Sequence, residues 1–389
     1  MKPFKPQAIA AIISLLVAPA LADPMISKLP AGPHLGMIVG FDDLRSRPQE
    51  PERQNRANDL FQQAITAGMT IGRAQIDWRD LETAPGIYDA NTLTEALENA
   101  ARDGLHVFVT FSSIDTESLT LPDYLSTNDG QPRDGLLLSD PEINTAYMAF
   151  LDWFIPELAT HNVWGLALGN EVDTPIEAGI ITPRETLDHL LAGAMRVRGL
   201  DPELAVTVTL TGNANLRLPD FTDELLAGMD IVSFNTYCLD DTLTVNTPRD
   251  WQNVVERWKE TAAGKQIFIQ ELGCPVGYGT DQIGPNASRN NGLNGSEAQQ
   301  ARFFEYYFDL FITDPQFRAA TVFQLYDWSP ELSGIYEPIF AAEGLPLVGQ
   351  RLTEWLATVG LCRWSDTTCR PAWDQFLTSL NRLNQMRGE

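Results

Sequence analysis

From residue 34 onward, short β-branched apolar runs alternate with longer amphipathic stretches, and this alternation limits the possible folds more than any other feature. The strand candidates are His34–Phe41, Thr70–Ile76, Leu105–Phe111, Val163–Leu168, Ala205–Leu210, Asp230–Asn235, Lys265–Gln270 and Ala319–Leu325. Helical stretches lie at Arg53–Ala67, Leu93–Asp103, Ile143–Thr160, Pro183–Val197, Asp250–Ala262, Glu297–Ile312 and Leu347–Thr358, with a shorter one at Phe221–Ala227. Thr182-Pro183 and Thr247-Pro248 set a capping hydroxyl before an early proline, a helix-start signal. Gly68, Gly104 and Gly264 stand where helices should end. Strands this apolar need cover on both faces, as in a parallel sheet. Eight β-α units without a break in composition predict one (β/α)₈ TIM barrel over residues 23–360, with an open doubly wound sheet as the alternative. The tail, 361–389, adds a short helical extension at Trp373–Met386.

The first 22 residues read as an export signal. Lys2 and Lys5 precede an apolar run from Ala8 to Val17, and Ala20-Leu21-Ala22 offers the small residues of a cleavage site before Asp23. That run is too short to span a bilayer, which needs about 20 residues. A periplasmic or secreted, monomeric protein is therefore expected. Four cysteines in an oxidising compartment point to disulfides. Cys362 and Cys369 suit a clip on the tail. Cys238 and Cys274 each follow a predicted strand and suit a bridge between neighbouring loops, the alternative being two unlinked buried thiols. With 52 acidic against 27 basic residues, a formal charge of -25 argues against nucleic acid, anionic lipid and polyanionic substrates. A neutral ligand fits.

In a barrel of this kind the working residues come from the C-terminal ends of the strands. The fourth candidate strand stops at Gly169-Asn170-Glu171 and the seventh at Gln270-Glu271-Leu272-Gly273. The second supplies Arg73 and then Asp77-Trp78, the sixth Asn235-Thr236-Tyr237, and the eighth Tyr326-Asp327-Trp328. One rim thus carries two glutamates, an arginine, amides, a tyrosine and tryptophans. Two facing carboxyl groups suit glycoside hydrolysis, where a protonated one donates to the leaving oxygen and an ionised one attacks or activates water. Arg73 or Tyr237 beside one Glu would keep it anionic, while partial burial would raise the other. Trp78, Tyr278 and Trp328 fall in loops at this rim, where a flat apolar ring can stack on a sugar.

The segments WGLALGNEVD at 164–173, IFIQELG at 267–273 and GRAQIDWRDLETAPGIYD at 72–89 resemble glycoside hydrolase clan A. These are retaining (β/α)₈ enzymes with the acid/base on strand four and the nucleophile on strand seven. The resemblance covers nearly the whole mature chain. It implies Glu171 as general acid/base, Glu271 as nucleophile, and Asn170 on the substrate's 2-hydroxyl. It further implies that Arg73 and Tyr237 hydrogen-bond the nucleophile and that Trp328 floors the subsite at the scissile bond. The chain departs from many clan members, which carry a His near the end of strand three or before the strand-six Tyr. Here those places hold Thr110-Phe111-Ser112-Ser113 and Thr236.

Other residues read as structural. Trp153, Trp251 and Trp258 lie in helical segments, and Trp164 starts a strand at the far end of the barrel. Glu82 and Asp89 suit bracing of the strand-two loop, while Asp77 and Gln270 suit either sugar hydroxyls or bridging within the rim. The four histidines, His34, His106, His161 and His189, form no metal-binding spacing, and the expected chemistry needs no metal or cofactor. The reading is an exported retaining β-glycosidase, endo-acting on a neutral galactan, mannan, xylan or glucan. A catalytically silent carbohydrate-binding barrel and a transglycosylase using the same two Glu are the alternatives.

Overall fold

The computed structural model describes residues 28–38, 51–127, 130–240, 242–278 and 292–388. The export signal, positions 39–41 of the first expected strand and 279–291 of the long loop lie outside the described residues. Eight parallel strands form one sheet: β1 (His34–Ile38), β2 (Ile71–Asp77), β3 (His106–Ser112), β4 (Val163–Ala167), β5 (Ala205–Thr207 and Thr209–Thr211), β6 (Val232–Tyr237), β7 (Ile267–Gly273) and β8 (Phe317–Phe323). Each pairs with the next, and β8 returns to β1 through His34↔Ala319. Strand β5 breaks at Val208. Its first half pairs with β4 and its second with β6, so the sheet closes on itself there.

Helices α1 (Pro51–Ala67), α2 (Ala90–Ala100), α3 (Pro141–Leu158), α4 (Pro183–Leu200), α5 (Pro219–Ala227), α6 (Pro248–Ala262) and α7 (Glu297–Thr313) follow strands one to seven in order. The predicted caps form as reciprocal pairs, Thr182 with Glu185 and Thr247 with Asp250, each satisfying backbone N–H groups that the first turn leaves unpaired. Two strands run further than apolar content suggests, β6 to Tyr237 and β7 to Gly273. The added lengths carry Tyr237 and Glu271, polar residues that line the barrel mouth and bond to each other.

Alternation along each strand divides the apolar residues between two cores. Outward residues such as Val107, Val109 and Phe111 pack beneath the helices. Inward residues at the N-terminal end of the barrel form a smaller cluster of Phe108, Trp164 and Phe268 with Ile71 and Ala319. Phe108 lies 4.4 Å from Phe268 and 5.0 Å from Trp164, ring centre to centre. A side chain on Gly165 would meet the Phe108 ring at 2.9 Å.

The helix that completes the outer ring is not the expected 347–358. Helix α8 (Pro346–Leu356) sits over the barrel mouth, and α9 (Pro371–Gly388) packs between α7 and α1. Arg387 at its end donates to the carbonyls of Pro33 and Gly68 at 3.0 and 2.6 Å. The chain reaches α9 past a buried two-pronged ion pair, Arg370 to Asp327 at 2.8 Å on both oxygens. Asp327, expected at the rim, is occupied by this pair. Both expected disulfides are present, Cys238–Cys274 and Cys362–Cys369. The first joins the residues that follow β6 and β7. No helix among the described residues is long and apolar enough to cross a membrane.

Candidate active site

Strand β2 directs Arg73 and Gln75 into the barrel by its two-residue period. Arg73 spreads its guanidinium over three acceptors: Thr110 Oγ1 at 3.1 Å, Glu271 Oε1 at 2.9 Å and Gln75 Oε1 at 2.8 Å. The ion pair is nearly closed to solvent, with 4% of the Arg73 side chain and 9% of Glu271 exposed. Tyr237, ending β6, donates its hydroxyl to the other oxygen, Glu271 Oε2, at 2.5 Å. Burial and then the Glu271 charge hold the Tyr237 phenol well above its ordinary range, so it stays a donor. Each oxygen of Glu271 therefore faces a dedicated donor.

A register shift between β6 and β7 sets Asn235 opposite Glu271. The Asn235 amide N–H group donates to Glu171 Oε1 at 3.0 Å and to Asn170 Oδ1 at 3.1 Å. That one side chain ties the end of β6 to the residues that follow β4. Glu171 follows β4 in left-handed backbone, with φ at +47°, a conformation costing a non-glycine residue about 1–3 kcal/mol. Its neighbours hold it there. Val172 N–H reaches Thr209 O, and the buried Asp173 carboxylate accepts from Thr211 N–H at 2.9 Å and its hydroxyl at 2.5 Å. Burial foremost, and then the negative charge of Glu271, push the Glu171 carboxyl well above the usual range.

Beneath these groups runs a continuous polar network. Gln270 accepts from Thr110 at 3.0 Å and Thr209 at 2.8 Å, and donates to Asn170 Oδ1 at 3.1 Å. Asn170 donates to Asp115 Oδ1 at 2.8 Å, and Gln75 to Asp115 Oδ2 at 2.9 Å. Asp77 stands at the same rim, raised to about 7 by burial, then by Asp115 and Asp80.

The expected residues divide clearly. Arg73, Asn170, Glu171, Tyr237 and Glu271 converge on one mouth. Trp78 does not: it is fully buried between Tyr147 and Phe150, with its indole N–H on Glu82 Oε2 at 2.8 Å. The short helix it begins, Trp78–Leu81, turns the ring away from the opening, so it offers a sugar no face. Trp328 lies half-buried beside Tyr336, 6.4 Å between rings. Tyr278 is tethered through its backbone N–H to Glu354 Oε1 at 2.5 Å. The rings set edge-on against Tyr237 are Phe323, 5.6 Å away, and Trp355, 4.7 Å away.

Asp115 and Trp355 escaped the sequence reading. Asp115 follows an apolar strand as Glu171 does, so the same rule applied to β3 would have marked it. Nothing local marks Trp355, which sits on α8 and reads as ordinary helix packing. Among the described residues no group of His, Cys, Asp and Glu is arranged to hold a metal ion. Beside Glu171 opens a cavity of about 230 Å³.

No family model matches the chain, and no curated protein matches it in sequence. Solved structures do match in fold. An exo-β-1,4-mannosidase from Opitutaceae bacterium strain TAV5 is 16% identical over 91% of this chain, with a TM-score of 0.59. This chain spans 60% of that protein's length. A GH5_18 protein from Streptomyces cattleya, in complex with GlcNAc, is 17% identical over 92% of this chain and 81% of its own, at 0.63. One from Bifidobacterium longum subsp. longum is 16% identical over 92% and 80%, also at 0.63. The chain has the (β/α)₈ fold of these glycoside hydrolase structures.

Proposed function

We propose that this protein is a retaining β-glycoside hydrolase in which Glu271 is the nucleophile and Glu171 the general acid and base. The observation that carries this reading is the contrast between two carboxyl groups at one barrel mouth. Arg73 and Tyr237 each donate to one oxygen of Glu271, which suits an ionised, attacking group. Glu171 is half-buried and raised, which suits a proton donor. In the first step a Glu271 oxygen bonds the anomeric carbon as the glycosidic C–O bond breaks. The Glu171 proton goes to the departing oxygen. In the second step Glu171 takes a proton from water, whose oxygen displaces Glu271 from the sugar. Tyr237 and Arg73 orient the nucleophile, and Asn170, held by Gln270 and Asp115, lies in position to meet the hydroxyl beside the anomeric centre.

The proposed substrate is a neutral β-linked oligo- or polysaccharide, cleaved internally by an exported monomer. Two disulfides agree with export. A β-1,4-linked mannoside is the first sugar to try. One similar structure is named an exo-β-1,4-mannosidase, and another, a GH5_18 variant from Streptomyces cattleya, holds Manβ1-4GlcNAc. The experiment is a panel of β-1,4- and β-1,3-linked mannans, galactans, xylans and glucans with product sizing, run on wild type and Glu271→Gln. Hydrolysis by wild type and a loss of about 10⁴-fold or more in the variant are expected, on the scale of removing a nucleophile elsewhere. If wild type cleaves nothing while both forms bind a glycan, the barrel is a carbohydrate-binding protein and the hydrolase reading falls.

A further inference from the structure

The cavity beside Glu171 runs from the ends of strands four and six out to the loops that follow β5 and β6, and its chemistry is specific. It is lined by Glu171, Asn235, Tyr237 and Trp355, and its outer wall by Asn213, Arg217, Asp240 and Asn246 from the loops after β5 and β6. Glu271 is not among its lining residues. A sugar under attack must lie over the nucleophile, so space that touches the proton donor and not the nucleophile lies on the leaving-group side. At about 230 Å³ it is below the roughly 300–1,000 Å³ of sites for drug-sized ligands, and on the scale of one sugar ring.

We infer that this cavity is the leaving-group subsite, that it accepts one neutral sugar residue, and that Arg217 is its specificity-determining donor. This rests on the glycosidase reading above. Arg217 closes the short helical turn Ala214–Arg217 and keeps 33% of its side chain exposed. Its charge is already compensated by Glu177 at 2.9 Å and buried Asp173 at 3.7 Å. Its Nη2 also donates to Thr211 Oγ1 at 2.6 Å. Asp240 adds a further acid to the wall, so an anionic leaving group would gain nothing here, while hydroxyl oxygens find donors in Arg217 and the two asparagines. Trp355 supplies the aromatic wall. Asp173 links this subsite to catalysis, because the carboxylate beside Arg217 also braces the strained backbone of Glu171.

In a retaining reaction the site a leaving sugar vacates is where an acceptor sugar enters to compete with water. The test is partition of the glycosyl-enzyme. A panel of aryl β-mono- and disaccharides supplies the donor. Free mannose, glucose, xylose and N-acetylglucosamine serve as acceptors, in wild type, Arg217→Met and Arg217→Lys. Transfer products are expected from wild type, with the transfer-to-hydrolysis ratio falling about tenfold or more in Arg217→Met and less in Arg217→Lys. The ratio is internal to each enzyme, so a general loss of activity or of folded protein does not move it. An unchanged ratio in Arg217→Met overturns the inference, as does aryl glycoside hydrolysis by wild type with no transfer to any acceptor. If wild type turns over no aryl glycoside at all, the glycosidase reading itself fails and the subsite fails with it.

Discussion

Inside the barrel the same strands carry two kinds of interior. Near their N-terminal ends Phe108, Trp164 and Phe268 fill the space with rings. One alternation further on, β3 presents Thr110 in place of Phe108 and β7 presents Gln270 in place of Phe268. The apolar layer is held by close contact alone. The polar layer is equally buried, Thr110 and Gln270 both at 0% exposure, yet it is held by hydrogen bonds that connect Arg73, Asn170, Asp115 and Glu271. An unpaired polar group at such depth costs about 1–3 kcal/mol, so each amide and hydroxyl there must be placed against a partner. The comparison teaches that one end of the barrel is filled by close packing and the other is built from hydrogen bonds that fix the side chains around Glu171 and Glu271.

Four substitutions test that division. Phe268→Ala should have the largest effect on stability, about 3–5 kcal/mol for a buried ring, read from denaturant unfolding. The kcat of the folded fraction on a cleaved glycan should stay within a few-fold, and a collapse of kcat with unchanged stability would erase the distinction. Gln270→Leu nearly keeps volume but removes one hydrogen-bond partner from each of Thr110, Thr209 and Asn170. It should cost less, about 2–3 kcal/mol, and also lower kcat roughly tenfold or more through misplacement of Asn170. Loss of stability alone would make the network purely structural.

The smallest effect is in pH dependence, and it has opposite signs at the two ends. His34, at the start of β1, has Nε2 2.9 Å from the Pro30 carbonyl and Nδ1 2.8 Å from the Thr70 hydroxyl. Burial lowers it to about 3. The unfolded chain therefore binds a proton that the folded one refuses, and stability falls as pH drops from about 6.5 toward 3. Glu171 is raised, so the stability it allows is full below the ordinary carboxylate range and is lost as pH rises through its folded value. His34→Gln should flatten the acid slope of Tm against pH, though buried His189, also lowered to about 3, keeps part of it. Glu171→Gln should flatten the fall in Tm that sets in as pH rises from the ordinary carboxylate range. Slopes unmoved by either substitution would sever both residues from the pH response.

The strand-and-helix order and the two glutamates were legible because they rest on local signals. Apolar runs mark strands whatever their neighbours, and a carboxylate directly after such a run in a parallel barrel has few places to point. The failures share a cause too. Trp78 reads as a rim residue by position, but its direction depends on the turn that follows and on α3 packing against it. The stretch 347–358 reads as the eighth outer helix because an apolar stripe does not say which surface it covers. Strand ends are misjudged where polar residues face inward.

Chain order and periodicity alone determined that this protein is a succession of β-α units on a parallel sheet and that Glu171 and Glu271 follow its fourth and seventh apolar runs. Only tertiary structure decided which donors serve each of them. Arg73 and Glu271 are 198 positions apart, and whether they meet depends on how eight twisted strands are staggered around the barrel. The shift in β6–β7 register that sets Asn235 opposite Glu271, and the seating of Trp355 against Tyr237, follow from that stagger. Each is a long-range packing outcome, and no window of neighbouring residues encodes it.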